Sequence, residues 1–372
     1  MKIGISLLYA RSHRTGVENT AFNLIMQLSR MESDDEYVIY ADTRSQPWLS
    51  GVSGRVRVID VRLSRRGAPW VWEHLFFLTS QRPKEVDVVH FPFGGGVVGY
   101  RGKFVLTIHD LTLYSHRELV KLRRHLLWRV WYKANVKRAA KIITVSEHVK
   151  RDILRDFPVR SDSIRVIPNG VDRRFRPCAG TQVFRDKYHL PERYVLFVGT
   201  TSPNKNIRRA IDAVNLVRNR HGLDHQFIVA GLPGGDDAAL KRYVASNRLR
   251  DTVRFLGYVD DNDLPQLYAN AELFLFPSIM EGFGIPPLEA MRCGIPVVAA
   301  ATSCLPEVLG DAAIWVNPLC VESIAEGVAT ALLDKDARNR AIAKGLSRAE
   351  QFSWEKMASE TVNVYREAAV CQ

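Results

Sequence analysis

Apolar residues in the first half of the chain gather in short, almost unbroken runs, separated by stretches with apolar residues at helical spacing. The runs Lys2–Leu8, Tyr37–Tyr40, Val56–Ile59, Val86–Phe91, Phe104–Ile108, Lys141–Val145 and Ile164–Ile167 predict strands. The spacing between them predicts helices over Glu18–Arg30, Arg117–Ala140 and Glu147–Phe157. Strands that are apolar at successive positions belong to parallel sheets with helices on both faces. Strand and helix in alternation therefore point to an α/β fold of parallel βαβ units.

The pattern then restarts. Strands are predicted over Tyr194–Val198, Gln226–Ala230, Val253–Leu256, Leu273–Phe276, Ile295–Ala299 and Ala313–Val316, with helices such as Ile207–Arg220 and Asp237–Asn247 between them. The join is IPNGVDRRFRPCAGTQ, rich in Pro, Gly and Arg, which reads as a linker around residues 170–190. Two such series imply two Rossmann-like domains facing across a central cleft. Ligands of open α/β sheets bind outside the carboxyl ends of the strands.

Composition narrows the class. The chain has 372 residues, 46% apolar and 25% charged, which suits an ordinary globular protein and excludes collagen-like or disordered chains. Five scattered cysteines without C-x-x-C argue against a disulfide framework or zinc site and for a reducing cytosol. The N-terminal run MKIGISLLYAR reads as a buried strand, not a signal peptide, and no apolar run is long enough to span a membrane. The net charge is +12, and it is uneven. Residues 1–172 hold 28 Lys and Arg against 17 Asp and Glu, whereas the remainder holds 24 against 23. The basic half calls for an acidic partner: nucleic acid, an anionic membrane surface or a phosphorylated substrate.

Three features carry weaker chemistry. Gly94–Gly99 matches G-x-G-x-x-G, but a strand rather than a helix follows, so it reads as a flexible loop and not a dinucleotide site. Asp260, Asp261 and Asp263 resemble a metal-binding D-x-D element, but an acidic first turn of a helix accounts for them better. The stretch Arg117–Lys141 carries nine cations and one acid together with Trp128, Trp131 and Tyr132. It is either a solvated face over a packed aromatic side or an amphipathic helix resting on anionic lipid. No nucleic-acid-binding motif accompanies it.

The strongest segment is FLFPSIMEGFGIPPLEAMRCGIPVVAA, residues 274–300. A strand runs into Glu281, Gly282, Phe283, Gly284, Ile285 and two prolines, and a helix carrying Glu289 begins there. Glycines allow close backbone approach, and proline suits the first helical turn. The N–H groups of that turn form a diphosphate site, while carboxylates accept from sugar hydroxyls. Phosphates and hydroxyls together describe a nucleotide sugar.

On these residues the chain resembles the retaining glycosyltransferases of the GT-B fold, specifically the family numbered four and its mannosyltransferase-like subgroup. Glu281 and Glu289 match the family's E-x(7)-E motif. The resemblance implies that Glu281 sits beside the donor sugar, with Gly282, Phe283, Gly284 and Ile285 around it, and that Glu289 binds the ribose. VLFVGTTSPNKNI matches the basic donor loop and puts Lys205 on the diphosphate. Many members carry an Arg where this chain has Thr200-Thr201, whose hydroxyls or amides would substitute. RTGVENTAFNLIMQL resembles the family's first glycine turn, with Gly16 approaching the donor phosphate or acceptor. VLTIHDLTLY puts His109 near the donor sugar. VSEHVKRDI and VIPNGVD match further landmarks. Ser146 either binds an acceptor phosphate or caps its helix, and Arg123 and Arg124 are candidates for acceptor contact.

The resemblance also implies domain limits: residues 1–175 for the acceptor, 185–352 for the nucleotide sugar, and 353–372 as a helix crossing back to the first domain. It implies transfer with retention by front-side attack, with Lys205 and helix-start amides in place of a metal and no cofactor. A GDP-linked donor such as GDP-mannose is favoured. The implied acceptor is a saccharide or lipid-linked diphosphate in surface polysaccharide assembly, handled in the cytoplasm or on the inner face of the plasma membrane. The alternatives are another GT-B enzyme, such as a nucleotide-sugar epimerase, and a non-catalytic basic protein binding membrane or nucleic acid.

Overall fold

The computed structural model describes residues 1–10, 16–52, 54–62, 69–111 and 122–371, apart from the side chains of residues 69 and 122–128. The chain forms two units: Met1–Gly170 with Trp354–Gln372, and Val171–Ser353.

In the first unit the strands are β1 Lys2–Ser6, β2 Glu36–Ala41, β3 Val56–Asp60, β4 Val88–Phe91, β5 Phe104–Ile108, β6 Lys141–Thr144 and β7 Ile164–Val166. Its helices include α1 Gly16–Leu28, α2 Pro69–Thr79, α3 Leu122–Arg138 and α4 Glu147–Asp156. Among the described residues the strands make one sheet in the order β3-β2-β1-β4-β5-β6-β7. Every pairing in it is parallel. The chain winds from β1 out to β3 on one side, then from β4 to β7 on the other. The winding reverses between β1 and β4, where Ile5 pairs with His90.

Strand β1 is shorter than the apolar run suggests: Leu7 N still donates to Tyr40 O at 2.8 Å, the chain then turns, and both Leu7 and Leu8 stay buried. The predicted helix over 117–140 is described only from Leu122 to Arg138.

The Gly94–Gly96 run is not a loose loop. All three residues are buried, and α3 presses on them. A Cβ on Gly94 would lie 2.8 Å from the Tyr132 hydroxyl, one on Gly95 1.8 Å from the Trp131 ring, and one on Gly96 2.8 Å from Asn135 Oδ1. Trp131 Nε1 donates to Gly96 O at 2.9 Å. The glycines are there to admit large side chains, not a phosphate.

The last helix, Trp354–Val370, belongs to the first unit. It buries Trp354, Met357, Ala358, Thr361, Val362, Tyr365 and Ala368. Its Tyr365 hydroxyl bonds His90 Nδ1 at 2.8 Å, and Arg366 pairs with Asp35 at 3.1 Å.

The second unit opens with α5 Gln182–Tyr188, followed by β8 Tyr194–Val198, α6 Ile207–His221, β9 Gln226–Ala230, α7 Asp237–Ser246 and β10 Val253–Gly257. Then come α8 Leu264–Ala269, β11 Leu273–Phe276, α9 Ile285–Arg292, β12 Val297–Ala300, α10 Leu305–Leu309 and β13 Ile314–Val316, with α11 Val321–Leu333 and α12 Lys335–Glu350 behind them. The parallel sheet runs β10-β9-β8-β11-β12-β13. Here the winding reverses between β8 and β11.

Helix α5 corrects the expected linker. Thr181 Oγ1 accepts from Phe184 N and caps the helix, which ends at His189 with φ 48°. Arg254 donates to the carbonyls of Tyr188 and His189, and Arg185 to Asn270 Oδ1, so the segment is tied into the second unit. Asp263 accepts from Lys187 Nζ at 2.6 Å and the Tyr188 hydroxyl at 2.5 Å, and these contacts hold it below the usual carboxylate range. Among the described residues no cluster of three or more His, Cys, Asp or Glu is placed to hold a metal ion, and no helix is long and apolar enough to cross a membrane.

Candidate active site

The turns after β8 and β11 lie on either side of the second unit's switch point, where ligands of such sheets bind. After β8 the chain passes Gly199 with φ 154° and enters a 3₁₀ turn, Pro203–Lys205, closed by Asn206 with φ 57°. The backbone here is tightly packed. A Cβ on Gly231, itself at φ 137°, would lie 2.1 Å from Gly199 O, so only glycine lets the turns after β8 and β9 touch. Buried Thr201 closes the same corner: its hydroxyl accepts from Gly234 N at 2.7 Å and donates to Asp237 at 3.3 Å.

Two asparagines bind this turn to the end of β11. Asn204 Nδ2 donates to Met280 O at 3.1 Å and its carbonyl accepts from Ile279 N at 2.8 Å. Asn206 Nδ2 donates to Pro277 O at 3.1 Å and Pro318 O at 2.7 Å. Between them Lys205 Nζ meets Glu281 Oε1 at 2.5 Å. Both side chains are mostly buried, and the ammonium lies 5.4 Å from the centre of the Phe276 ring. The Glu281 backbone is held from the next turn: its N–H donates to Ser303 Oγ at 3.2 Å, and Cys304 Sγ donates to its carbonyl at 3.2 Å.

Helix α9 starts four residues after Glu281. Gly284 has φ 91°, and a Cβ there would lie 2.8 Å from Leu305. Phe283 and Ile285 are buried against the unit. Glu289, one turn into α9, is buried and accepts from the Tyr268 hydroxyl at 2.9 Å. Burial raises its carboxyl to about 7, although the Tyr268 bond and nearby Arg174 pull the other way.

Comparison with known proteins bears on this geometry. The description "Glycosyl transferases group 1" matches residues 182–348, and "Glycosyltransferase Family 4" matches residues 14–175. The O-antigen chain mannosyltransferase B of Escherichia coli is 35% identical over 265 residues, covering 70% of each chain. The chain belongs to the group 1 glycosyltransferases. The serotype-specific mannosyltransferase WbdA of Escherichia coli is 31% identical over 69% of this chain, which spans only 32% of WbdA. The Anabaena HepE structure in complex with UDP and glucose has a TM-score of 0.77 at 20% identity over 98% of both chains, and establishes the GT-B fold.

Within this glycosyltransferase, the structure brings Lys205, Glu281 and the start of α9 together, with half-exposed Thr200 in the same turn. The Thr201 hydroxyl is engaged in the loop corner. Gly16, His109 and Ser146 lie in the first unit. Gly16 is exposed at the start of α1, with open space where a Cβ would stand. His109, at the end of β5, faces a cavity of about 20 Å³ shared with His90, Thr107, Asn169 and Thr361. Its Nε2 lies 2.9 Å from Pro92 O, which only accepts, so that nitrogen carries the proton. Burial lowers its pKa and keeps the ring neutral at pH 7.

Ser146 is fully buried and its Oγ accepts from Val149 N at 3.2 Å, so it caps α4. Arg123 and Arg124 lie on α3, but their side chains fall outside the described residues. Sequence reasoning missed Asn204, Asn206, Ser303 and Cys304. The asparagines flanking Lys205 were a usable signal, because Asn tolerates the left-handed conformation that Asn206 adopts. Ser303, with φ 52°, gave none.

Proposed function

We propose that this glycosyltransferase moves mannose, with retention, from GDP-mannose to a saccharide or lipid-linked diphosphate acceptor in cell-surface polysaccharide assembly. The observation that carries this reading is the Lys205–Glu281 contact at the switch point, just before α9. A sugar and its diphosphate are bonded to each other, so a cation for one and a carboxylate for the other must be neighbours. The two mannosyltransferase relatives support mannose, and the HepE complex supports a nucleotide sugar.

In the reaction the bond from the anomeric carbon to the diphosphate breaks, and the bond to the acceptor oxygen forms on the same face. A donor phosphate oxygen takes the acceptor proton, and GDP leaves. Lys205 and the first-turn amides of α9 stabilise the charge that grows on the diphosphate. These fixed groups make a divalent metal unnecessary.

The test is transfer from radiolabelled GDP-mannose to a synthetic mannoside in excess EDTA, with the product anomer assigned by NMR. Transfer is expected to persist in EDTA and to give the α-anomer. Transfer from UDP-glucose alone would overturn the donor. Loss in EDTA with recovery on adding manganese would overturn the metal-free step.

The basic half is read as a contact with an anionic membrane at its cytoplasmic face. Arg129, Val130, Lys133, Lys137 and Arg138 are exposed on α3, and Trp70, Leu75 and Leu78 are about half exposed on α2. Each cation near such a surface contributes about 1 kcal/mol. Changing Arg129, Lys133 and Lys137 to Glu should release the protein from phosphatidylserine vesicles, and high salt should do the same. Transfer to a soluble acceptor should stay near the original rate. Unchanged vesicle binding would leave α3 a solvated face.

A further inference from the structure

The turn after β11, residues 277–284, is largely buried yet has neither helix nor sheet to satisfy its backbone. Side chains from the two flanking turns do so instead. From the turn after β8, Asn206 Nδ2 donates to Pro277 O and Asn204 Nδ2 to Met280 O. From the turn after β12 come three consecutive residues. Thr302 Oγ1 donates to Ser278 O at 3.2 Å, Ser303 Oγ accepts from Glu281 N at 3.2 Å, and Cys304 Sγ donates to Glu281 O at 3.2 Å. The peptide groups on both sides of the Glu281 Cα are therefore fixed by side chains 22 and 23 positions further along the chain.

Ser303 lies in the left-handed region at φ 52°, which L residues avoid for steric reasons. Glycine would adopt this conformation freely, so what serine adds to the turn is the oxygen that receives the Glu281 N–H. Cys304 is fully buried, and burial together with the Glu281 charge raises its thiol well above the usual range, so it stays protonated and able to donate. The carboxylate carried by this backbone is 12% exposed and meets Lys205 Nζ.

We propose that Thr302, Ser303 and Cys304 are positioning residues for sugar transfer, holding the Glu281 backbone so that its carboxylate stays beside the Lys205 ammonium. Each acts through Glu281 rather than on the donor. A displacement of about 1 Å at a reacting centre costs up to about 10²-fold in rate, so three bonds on one residue's backbone and its neighbour's have kinetic weight. What Glu281 touches rests on the donor reading above; the clamp itself rests on the three bonds.

The test compares the full chain with Ser303→Gly, Thr302→Val, Thr302→Ser and Cys304→Ala. Glycine fits the Ser303 φ and valine keeps the branched shape of threonine, so each deletes a bond and little else. For transfer from GDP-mannose, kcat is expected to fall about tenfold in Ser303→Gly and about threefold in Thr302→Val, and to stay near wild type in Thr302→Ser, which keeps the hydroxyl. GDP affinity by calorimetry should stay within about twofold, because GDP lacks the sugar that Glu281 serves. If buried Cys304→Ala fails to fold, half-buried Thr302 and Ser303 carry the result. Unchanged kcat in the folded variants overturns the proposal, and so does a loss of GDP affinity in step with kcat, which a merely structural role would give. Deuterium exchange of the Glu281 amide, expected to quicken at least tenfold in Ser303→Gly, tests the clamp with no donor present; an unchanged rate overturns it. Wild-type transfer from UDP-glucose alone overturns the donor reading, and the same comparison made with UDP-glucose and UDP then decides the positioning role. Wild-type transfer from neither overturns the donor reading and the positioning role together.

Discussion

Replacing Lys205 by alanine lowers kcat for mannose transfer by about 10²–10³, the scale for removing one preorganised charge-stabilising group. On the proposed mechanism the charge on the leaving diphosphate grows as its bond to the sugar breaks, so the ammonium would stabilise the transition state more than the bound donor. The loss should therefore fall on kcat more than on KM. The substitution also leaves Glu281, which Lys205 meets at 2.5 Å, as a mostly buried carboxylate without that cation. Thermal unfolding of the purified variant separates the two effects. Slow turnover with an unchanged midpoint assigns the loss to the missing cation, whereas a lowered midpoint assigns it to the orphaned carboxylate and removes the catalytic role of Lys205. Near-normal turnover of purified Lys205→Ala would remove the whole loop from the donor site.

On the proposed reading, GDP affinity is expected to depend on pH through Glu289. Its carboxyl is raised from 4.5 to about 7, first by burial and then by nearby Asp261 and Asp172; the Tyr268 hydrogen bond and Arg174 oppose this. Buried Cys293, one turn further along α9, faces the same carboxyl. If the ribose requires the ionised form, about one tenth of the protein is competent at pH 6, and apparent affinity is about tenfold weaker there than at pH 8.5. Calorimetric titration with GDP at both values measures this without turnover. Tyr268→Phe removes a bond that favours the carboxylate, so the midpoint should move to higher pH. Glu289→Gln should bind weakly and equally at both. A wild-type affinity that does not change with pH would detach Glu289 from the ribose. The empty fold responds with the opposite sign. A carboxyl raised on folding contributes stability that is full below its unfolded value and lost as pH rises through about 7.

Local pattern determined a great deal. Near-continuous apolar runs such as Val86–Phe91 and Leu273–Phe276 announce buried parallel strands, because a strand covered on both faces has no polar side to display. The glycine and proline positions at 282–287 announce a strand-to-helix turn, since backbone freedom and a missing N–H are properties of the residue itself. The seven-residue interval between Glu281 and Glu289 could be read directly. Partners and burial could not, because they depend on residues distant in the chain. Lys205 and Glu281 are 76 positions apart and meet only because β8 and β11 lie side by side. Helix α5 is too short to hold by propensity alone, and bonds from Arg254 and to Asn270 secure it, so a linker reading was the natural error. Gly94–Gly96 looked flexible because glycine is permissive; the Trp131 ring packed against it made it rigid. Ser146 suits a cap by residue type, and the fold shows the bond to Val149 N that makes it one. Propensity and periodicity act over a few residues and are written in the chain; desolvation and charge pairing are set by whatever the fold brings alongside.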